Sequence, residues 1–336
     1  MRFLLSGDHG LEDIVVQELR ERCPSASARA NPHGVPGQIA VEFDDVEPLL
    51  QLGTIHHVLE VREEAEVETL EDVRRVIAAA TFGELDGARS FRVTSTCRGD
   101  LGLEKMELQG AAGAALIRRY TTPVDLEDFE IEVRVDLYGR RLVAGVQRTR
   151  VSLGNRIRRG RVLRSSLKPT IAASMLRLAG AHAGPGRLID PMCGAAVIPV
   201  EAARVNPHLE IRASDWDAET VETARGTLRN HGLAFEVRAA DARALREETD
   251  GLFDYIVTDP PHGIRQARRA RLTALYSGLL AAFERVLKPG GRIVVIVVKY
   301  RVFVAAVERT GLHIVEQRAV ASGSVTRRIF VLEKIG

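Results

Sequence analysis

Phe253-Asp254-Tyr255-Ile256-Val257-Thr258-Asp259-Pro260-Pro261-His262-Gly263 decides the fold class. A run of strand length ends in an acid and two prolines, which lack the N–H that a sheet ladder needs. The chain therefore leaves a sheet at Asp259. Working outward, similar short apolar runs predict strands at Arg187–Asp190, Glu210–Ser214, Ala234–Arg238 and Arg292–Val298. Helices are predicted between and around them, over 170–179, 195–205, 218–231, 272–287 and 302–310. Short strands alternating with helices mean an α/β, doubly wound, mostly parallel sheet. Ile314–Arg318 and Arg327–Glu333, joined through Ser322-Gly323-Ser324, predict an antiparallel hairpin on its edge.

In such a sheet, ligands sit beyond the carboxyl ends of the strands, near the reversal of strand order. Four acids fall there in turn. Asp190 ends the first strand and leads into Pro191-Met192-Cys193-Gly194, where a glycine lets backbone approach a ligand closely. Asp215 ends the second, where a carboxylate can accept both hydroxyls of a ribose. Asp241, followed by Ala242, comes after the third, in place to meet an adenine amino group. Asp259 ends the fourth. One such acid is more often a helix N-cap, as Asp217 is expected to be. One per strand end, repeated four times, predicts a nucleoside site. Gly194-Ala195-Ala196-Val197 lacks the GxGxxG spacing that seats a dinucleotide pyrophosphate.

Asp259-Pro260-Pro261-His262 suits group transfer to a planar amine. The exocyclic amine of a base is a poor nucleophile because its lone pair is delocalised into the ring. The Asp259 carboxylate and the Pro260 carbonyl can hold its two N–H groups while the nitrogen turns tetrahedral, and both stabilise the positive charge that develops. The prolines fix the direction of that carbonyl. His262 offers a flat ring to a base that has left its stack. The blander alternative is a Pro-Pro turn that only ends a strand.

A chain of 336 residues exceeds a usual single domain. Hydrophobic residues at 45% against 27% charged are enough for real cores. No apolar run is long enough for a membrane span, and Ser6 to Asp8 interrupts any leader, so a cytoplasmic protein is expected. Cys23, Cys97 and Cys193 form no CxxC pair, and the nine His residues show no ligand spacing, so neither a disulfide framework nor a metal is expected.

Charge is divided. Residues 1–155 hold 18 Lys and Arg against 27 Asp and Glu; residues 156–336 hold 29 against 18. Ten basic residues and no acid lie from Arg140 to Lys168, with a second cluster at Arg265, Arg268, Arg269 and Arg271. Ten like charges repel unless a partner neutralises them, which predicts a nucleic-acid footprint.

Upstream, helices are predicted at Leu11–Arg22 with Asp8 as N-cap, at Glu47–Gly53, at Leu70–Thr81 and at Leu103–Tyr120. Strands are predicted at Phe3–Leu5, Gln38–Phe43, His57–Arg62 and Ser90–Thr96, with a hairpin of Glu130–Tyr138 and Leu142–Gln147 turned by Gly139-Arg140-Arg141.

Several segments carry a wider likeness: Asp8-His9-Gly10-Leu11-Glu12-Asp13 with Glu18-Leu19, Phe91-Arg92-Val93 with the 104–119 helix, Leu167-Lys168-Pro169-Thr170-Ile171-Ala172, Asp190-Pro191-Met192-Cys193-Gly194 with Glu201-Ala202-Ala203, and Asp259 to Gly263. Together they resemble the THUMP-domain RNA methyltransferases, and among them the tRNA guanine-N2 methyltransferases. The resemblance implies a ferredoxin-like domain over 1–65, a THUMP RNA-binding domain over 66–150, a basic linker over 151–168 and a Rossmann-like methyltransferase domain over 169–336. It implies S-adenosylmethionine as methyl donor, S-adenosylhomocysteine as product, no metal, and tRNA as partner, with a monomer expected and an acceptor-stem guanine of the position 6 type as target. Catalysis falls to Asp259, Pro260 and His262. Donor binding falls to Asp190, Pro191, Cys193, Gly194, Asp215, Asp241, Ala242 and Asp259. RNA binding falls to Arg92, Arg98, Lys105, Arg148, Arg150, Arg156, Arg158, Arg159, Arg265, Arg268 and Arg269. Two alternatives stand beside it: a ribosomal RNA guanine-N2 methyltransferase, whose relatives are often longer, and a non-catalytic tRNA-binding protein. The second follows from Gly194 to Val197, where the family usually has Gly-Ser-Gly-Thr and where the Ala196 methyl is expected to press on the donor's methionine moiety or shift the backbone.

Overall fold

The computed structural model describes residues 1–99, 101–159, 167–261, 269–322 and 325–334, with the side chains at 269–271, 322 and 325 also outside the description. The chain forms two compact units, Met1–Gly7 with Val16–Leu153, and Asp8–Val15 with Gly154–Gly336. No helix among the described residues is long and apolar enough to cross a membrane.

The first unit carries β1 (Arg2–Gly7), most of α1 (Glu12–Arg22), β2 (Ser27–Ala30), β3 (Gln38–Glu42), α2 (Glu47–Leu50), β4 (Ile55–Glu66), α3 (Leu70–Ala79), β5 (Phe91–Thr94), β6 (Cys97–Arg98), α4 (Lys105–Arg119), β7 (Ile131–Tyr138) and β8 (Arg141–Gln147). One sheet runs β2-β3-β1-β4-β8-β7-β5, with β6 also on β7. The β7–β8 hairpin pairs Tyr138 with Arg141, so Gly139-Arg140 is its turn, and Gly139 takes the positive φ of 60° that such a turn requires. Val73 and Ile77 of α3 and Leu108, Ala112 and Leu116 of α4 pack on Phe91, Val133, Val135 and Ala144. β2 escapes the sequence reading because Ser-Ala-Arg-Ala at a half-exposed edge has no apolar alternation. β4 runs past Arg62 through Glu63 and Glu64, which pair with β8 beyond a register shift; pairing, not hydrophobicity, defines that end.

The second unit carries α5 (Pro169–Ala179), β9 (Gly186–Asp190), α6 (Val197–Val205), β10 (Leu209–Asp215), α7 (Ala218–Asn230), β11 (Val237–Ala239), α8 (Glu247–Asp250), β12 (Phe253–Thr258), α9 (Arg269–Val286), β13 (Leu287–Val297), α10 (Tyr300–Val307), β14 (Leu312–Ser322) and β15 (Val325–Lys334). Its sheet runs β11-β10-β9-β12-β13-β15-β14. The first five strands are parallel, and β15 and β14 add antiparallel to β13 and to each other. This is the doubly wound sheet with an antiparallel edge hairpin, and strand order reverses between β9 and β12. α5, α6 and α7 cover one face through Ile171, Met175, Val197, Val200 and Leu228. α9 and α10 cover the other through Leu279, Leu280, Phe283 and Phe303. Each fully buried Leu, Ile or Phe contributes about 1.5–3 kcal/mol.

Asp8 is not the expected cap, since α1 begins only at Glu12. Its carboxylate accepts from Lys168 Nζ (2.9 Å) and Thr170 Oγ1 at the start of α5. Gly10, two residues on, has φ 93°, and a Cβ there would lie 2.0 Å from the Ala319 carbonyl oxygen in β14. Gly10→Ala meets both left-handed strain and a backbone clash, so it is expected to destabilise by roughly 2–5 kcal/mol. Chemical denaturation reads this directly; a variant with the wild-type midpoint would mean that Gly10 does not abut β14.

Candidate active site

The carboxyl ends of β9, β10 and β12 and the short 3-10 turn Ala242–Ala244 after β11 open on one cavity of about 760 Å³, within the range of small-molecule sites. Its wall includes Pro191, Gly194, Asp215, Asp241, Ala242, Asp259 and Pro260, which brings together seven of the residues singled out from sequence. Gly194 N–H donates to Asp215 Oδ2 (3.1 Å), tying the first loop to the second strand end. Asp217 is the N-cap of α7, accepting from Thr220 N–H at 3.0 Å. Asp241 accepts from Arg243 Nε at 2.9 and 3.0 Å, and hydrogen bonding to Arg243 holds its carboxyl below the usual range. Any amino group meeting Asp241 therefore shares it with an ion pair; a carboxylate has about four lone-pair sites to share.

Asp190 and Cys193 do not line the cavity. Asp190 is 1% exposed and accepts from Thr258 Oγ1 (2.7 Å) and Met192 N–H (3.2 Å). Burial pushes its carboxyl up to about 8. Cys193 is buried in the core, which raises its thiol well above the ordinary value. Ala196 is also fully buried in that core, at φ 61°, as N-cap of α6. It is not among the residues that line the cavity, and its left-handed φ shows how the backbone is set at the position where the family usually has a second glycine.

Asp259 sits where β12 ends. Burial pushes its carboxyl up to about 7, against the pull of Arg327, whose Nη1 lies 3.6 Å from Oδ2. Arg327 is itself mostly buried, and its Nε has no hydrogen-bond partner among the described residues. The Tyr276 hydroxyl, fully buried in α9, also has none; burial, and then the nearby Asp259 charge, raise its pKa. His262, Gly263, Arg265 and Arg268 lie outside the described residues, as does the Arg269 side chain.

Sequence reasoning missed Met192, Trp216, Arg243, Leu272, Leu275 and Leu279 on the wall. Trp216, the single tryptophan, is 78% exposed directly after Asp215, and that position was the available signal. Leu272, Leu275 and Leu279 form a helical stripe that reads from sequence as ordinary core.

Six of the ten basic residues from Arg140 to Lys168 have a carboxylate partner within the chain, and Arg161 and Arg164 lie outside the described residues. Arg140 pairs with Glu68, Arg141 with Glu64 and Glu66 (3.8 Å each), and Arg148 with Glu60 and Glu84. Arg150 lies 3.9 Å from Asp128, Arg156 binds Glu201 through two bonds of 2.8 and 2.7 Å, and Lys168 binds Asp8. Arg159 reaches the Leu167 carbonyl (3.3 Å), and the Arg158 backbone donates to His231 Nε2 while its side chain is exposed. Arg92 pairs with Glu132 (3.2 Å) and stacks on Phe129, whereas Arg98 and Lys105 are exposed with no carboxylate partner among the described residues.

A protein-family model described as RMKL-like, methyltransferase domain, matches residues 156–328. The chain is 33% identical over 332 residues to the tRNA (guanine(6)-N2)-methyltransferase of Thermus thermophilus, covering 97% of each. It is 28% identical to the tRNA (guanine(6)-N2)-methyltransferase of Archaeoglobus fulgidus, covering 98% of this chain and 92% of that one. The crystal structure of TrmN from Thermus thermophilus matches the whole of both chains with a TM-score of 0.89 and 32% identity. The chain thus belongs to the RMKL-like methyltransferase family, as a THUMP-domain methyltransferase related to the bacterial and archaeal tRNA guanine-N2 enzymes.

Proposed function

We propose that this protein is an S-adenosylmethionine-dependent methyltransferase that modifies N2 of a guanine in tRNA. One observation carries it: Asp259 and Pro260 share a cavity with the nucleoside-type acids Asp215 and Asp241, in a chain that matches a guanine-N2 enzyme along its length. The acids, the Gly194 backbone and the apolar Met192 and Leu275 fit a ligand that is part nucleoside and part thioether. When bound, S-adenosylmethionine supplies an electrophilic methyl on a sulfonium. Asp215 would accept the ribose hydroxyls, and Asp241 with Ala242 would face the adenine. The Asp259 carboxylate and Pro260 carbonyl would accept the two N–H groups of guanine N2. As N2 gains the methyl it sheds one proton, for which the Asp259 carboxylate is in place. His262 would stack on the flipped base.

The proposed target is an acceptor-stem guanine of the position 6 type, supported by the two full-length relatives of that name. The proposed division is ferredoxin-like 1–65, THUMP 66–150, linker 151–168 and catalytic 169–336. Arg98 and Lys105 support an RNA contact in the THUMP stretch. A cytoplasmic monomer completes the proposal; Cys23, Cys97 and Cys193 are free thiols, the state that a reducing compartment maintains.

Incubation with the methyl donor and either bulk tRNA or ribosomal RNA, followed by nucleoside analysis, is the test. N2-methylguanosine in tRNA is expected. N6-methyladenosine, or product confined to ribosomal RNA, would reject it. Trp216, on the cavity rim, should report donor binding through its fluorescence. No response there, and none in calorimetry up to millimolar donor, would leave only a tRNA-binding protein.

A further inference from the structure

A second group of cations stands at the carboxyl end of β13, the strand paired with β12. Residues 299–301, Lys-Tyr-Arg, follow the carboxyl end of β13 and start α10. Antiparallel pairing sets Arg328 of β15 directly across from Val297, the last residue of β13. Parallel pairing sets Thr258 across from Val295, so Asp259 and Pro260 leave the sheet at the same level. The adjacent Arg327 reaches Asp259, and alternation along β15 turns Arg328 to the opposite face of the strand. There its guanidinium lies over the Tyr300 ring, 4.1 Å from the centroid, with that of Arg301 at 5.8 Å on the same ring. A shallow hollow of about 400 Å³ is lined by Val298 to Val302.

The charge balance distinguishes this group from the arginine run. No carboxylate among the described residues pairs with Lys299, Arg301 or Arg328; the one polar partner is Gln317, which accepts from Arg328 at 3.2 Å. Lys299 and Arg301 are exposed. α10 has no acid in its first turn and no side-chain cap, so its positive end adds to the cations instead of being offset. Like charges gathered at a helix N-terminus are unfavourable in the free protein, and an anion relieves them. Stacking on Tyr300 leaves the planar edge of the Arg328 guanidinium available for bidentate phosphate binding.

We infer that Lys299, Arg301 and Arg328 form a phosphate-binding surface for the RNA backbone flanking the target nucleotide. It rests on the RNA-methyltransferase function proposed above, and it adds an electrostatic contact at the carboxyl end of β13, the strand next to the one that ends in Asp259. Contacts made there hold the strand where a base is to be extruded, so they act on the reacting complex and not only on distant docking.

The test compares two variants of the full chain, Lys299→Ala/Arg301→Ala/Arg328→Ala and Arg140→Ala/Arg141→Ala, with wild type. tRNA affinity is measured across a salt series, and donor binding by Trp216 fluorescence. The first variant is expected to bind tRNA at least tenfold more weakly at low salt and to lower the slope of log affinity against log salt by roughly 2–3, with donor affinity unchanged. The second should change the slope by less than about 1, because its arginines already have carboxylate partners. A wild-type slope in the first variant overturns the assignment while wild type still methylates tRNA. Wild-type protein that neither binds nor methylates tRNA overturns the function as well. Lys299→Arg/Arg301→Lys, which keeps the charge, should restore most of the affinity; its failure to do so would mean that the loss is structural.

Discussion

Asp259→Asn is expected to slow methyl transfer by roughly 10²–10³-fold, about 3–4 kcal/mol at the transition state, while tRNA and donor affinities stay close to wild type. Asn keeps the size and one acceptor oxygen but removes the negative charge. That charge matters little in the ground state, where the guanine amine is neutral. It matters as the nitrogen loses conjugation and becomes cationic, in a site buried enough to push the carboxyl up to about 7. An effect confined to the transition state lowers kcat and kcat/KM together. Asp259→Ala should cost at least as much. Weakened tRNA binding with an unchanged single-turnover rate would show that Asp259 positions RNA and takes no part in transfer. Tyr276→Phe is the companion variant. It removes a buried hydroxyl that has no hydrogen-bond partner among the described residues, so folding should tolerate it, and a small rate effect would place the burden on Asp259.

Much of this site is written locally. A strand ending in an acid and a proline needs only a few adjacent residues to be recognised, and β12 with Asp259, β10 with Asp215 and the Asp217 cap all lie within such windows. The β7–β8 turn is local in the same way. What escapes the sequence depends on partners far along the chain. The charges from Arg140 to Lys168 suggest an unneutralised run because the sequence does not show that Glu60 meets Arg148, or that Glu201 meets Arg156. Asp8 suggests a cap because nothing near it announces Lys168 and Thr170. Asp190 and Cys193 lie in the right loop, but whether a side chain there faces ligand or core is settled by Thr258 on a neighbouring strand and by the packing of α6. Arg327 gives no local sign at all. Its meeting with Asp259 follows from the register of β15 on β13, which a shift of one residue would reverse.

That meeting sets the pH dependence. If the ionised Asp259 is the reactive form, its pKa near 7 makes kcat/KM rise about tenfold per pH unit below 7 and level off above it. The groups around it pull in opposite directions. Burial favours the protonated acid, as it does in Asp190, which is raised to about 8. Arg327 alone among these favours the carboxylate. Arg327→Gln removes that attraction, so the acid limb should move to higher pH, by about one unit for an interaction of ~1.4 kcal/mol. At pH 7 the variant would be roughly fivefold slower, and near pH 9 it would approach wild type. Arg327→Lys, which keeps the charge, should leave the limb close to 7. The sign for stability is the reverse of that for activity. Both acids hold protons in the folded state where the unfolded chain has lost them, so their contribution to stability is full below about 4 and is lost as pH rises through 7 to 8. An acid limb in Arg327→Gln that stays at the wild-type pH while KM for tRNA rises would show that Arg327 binds substrate phosphate and does not hold Asp259 in its charged form.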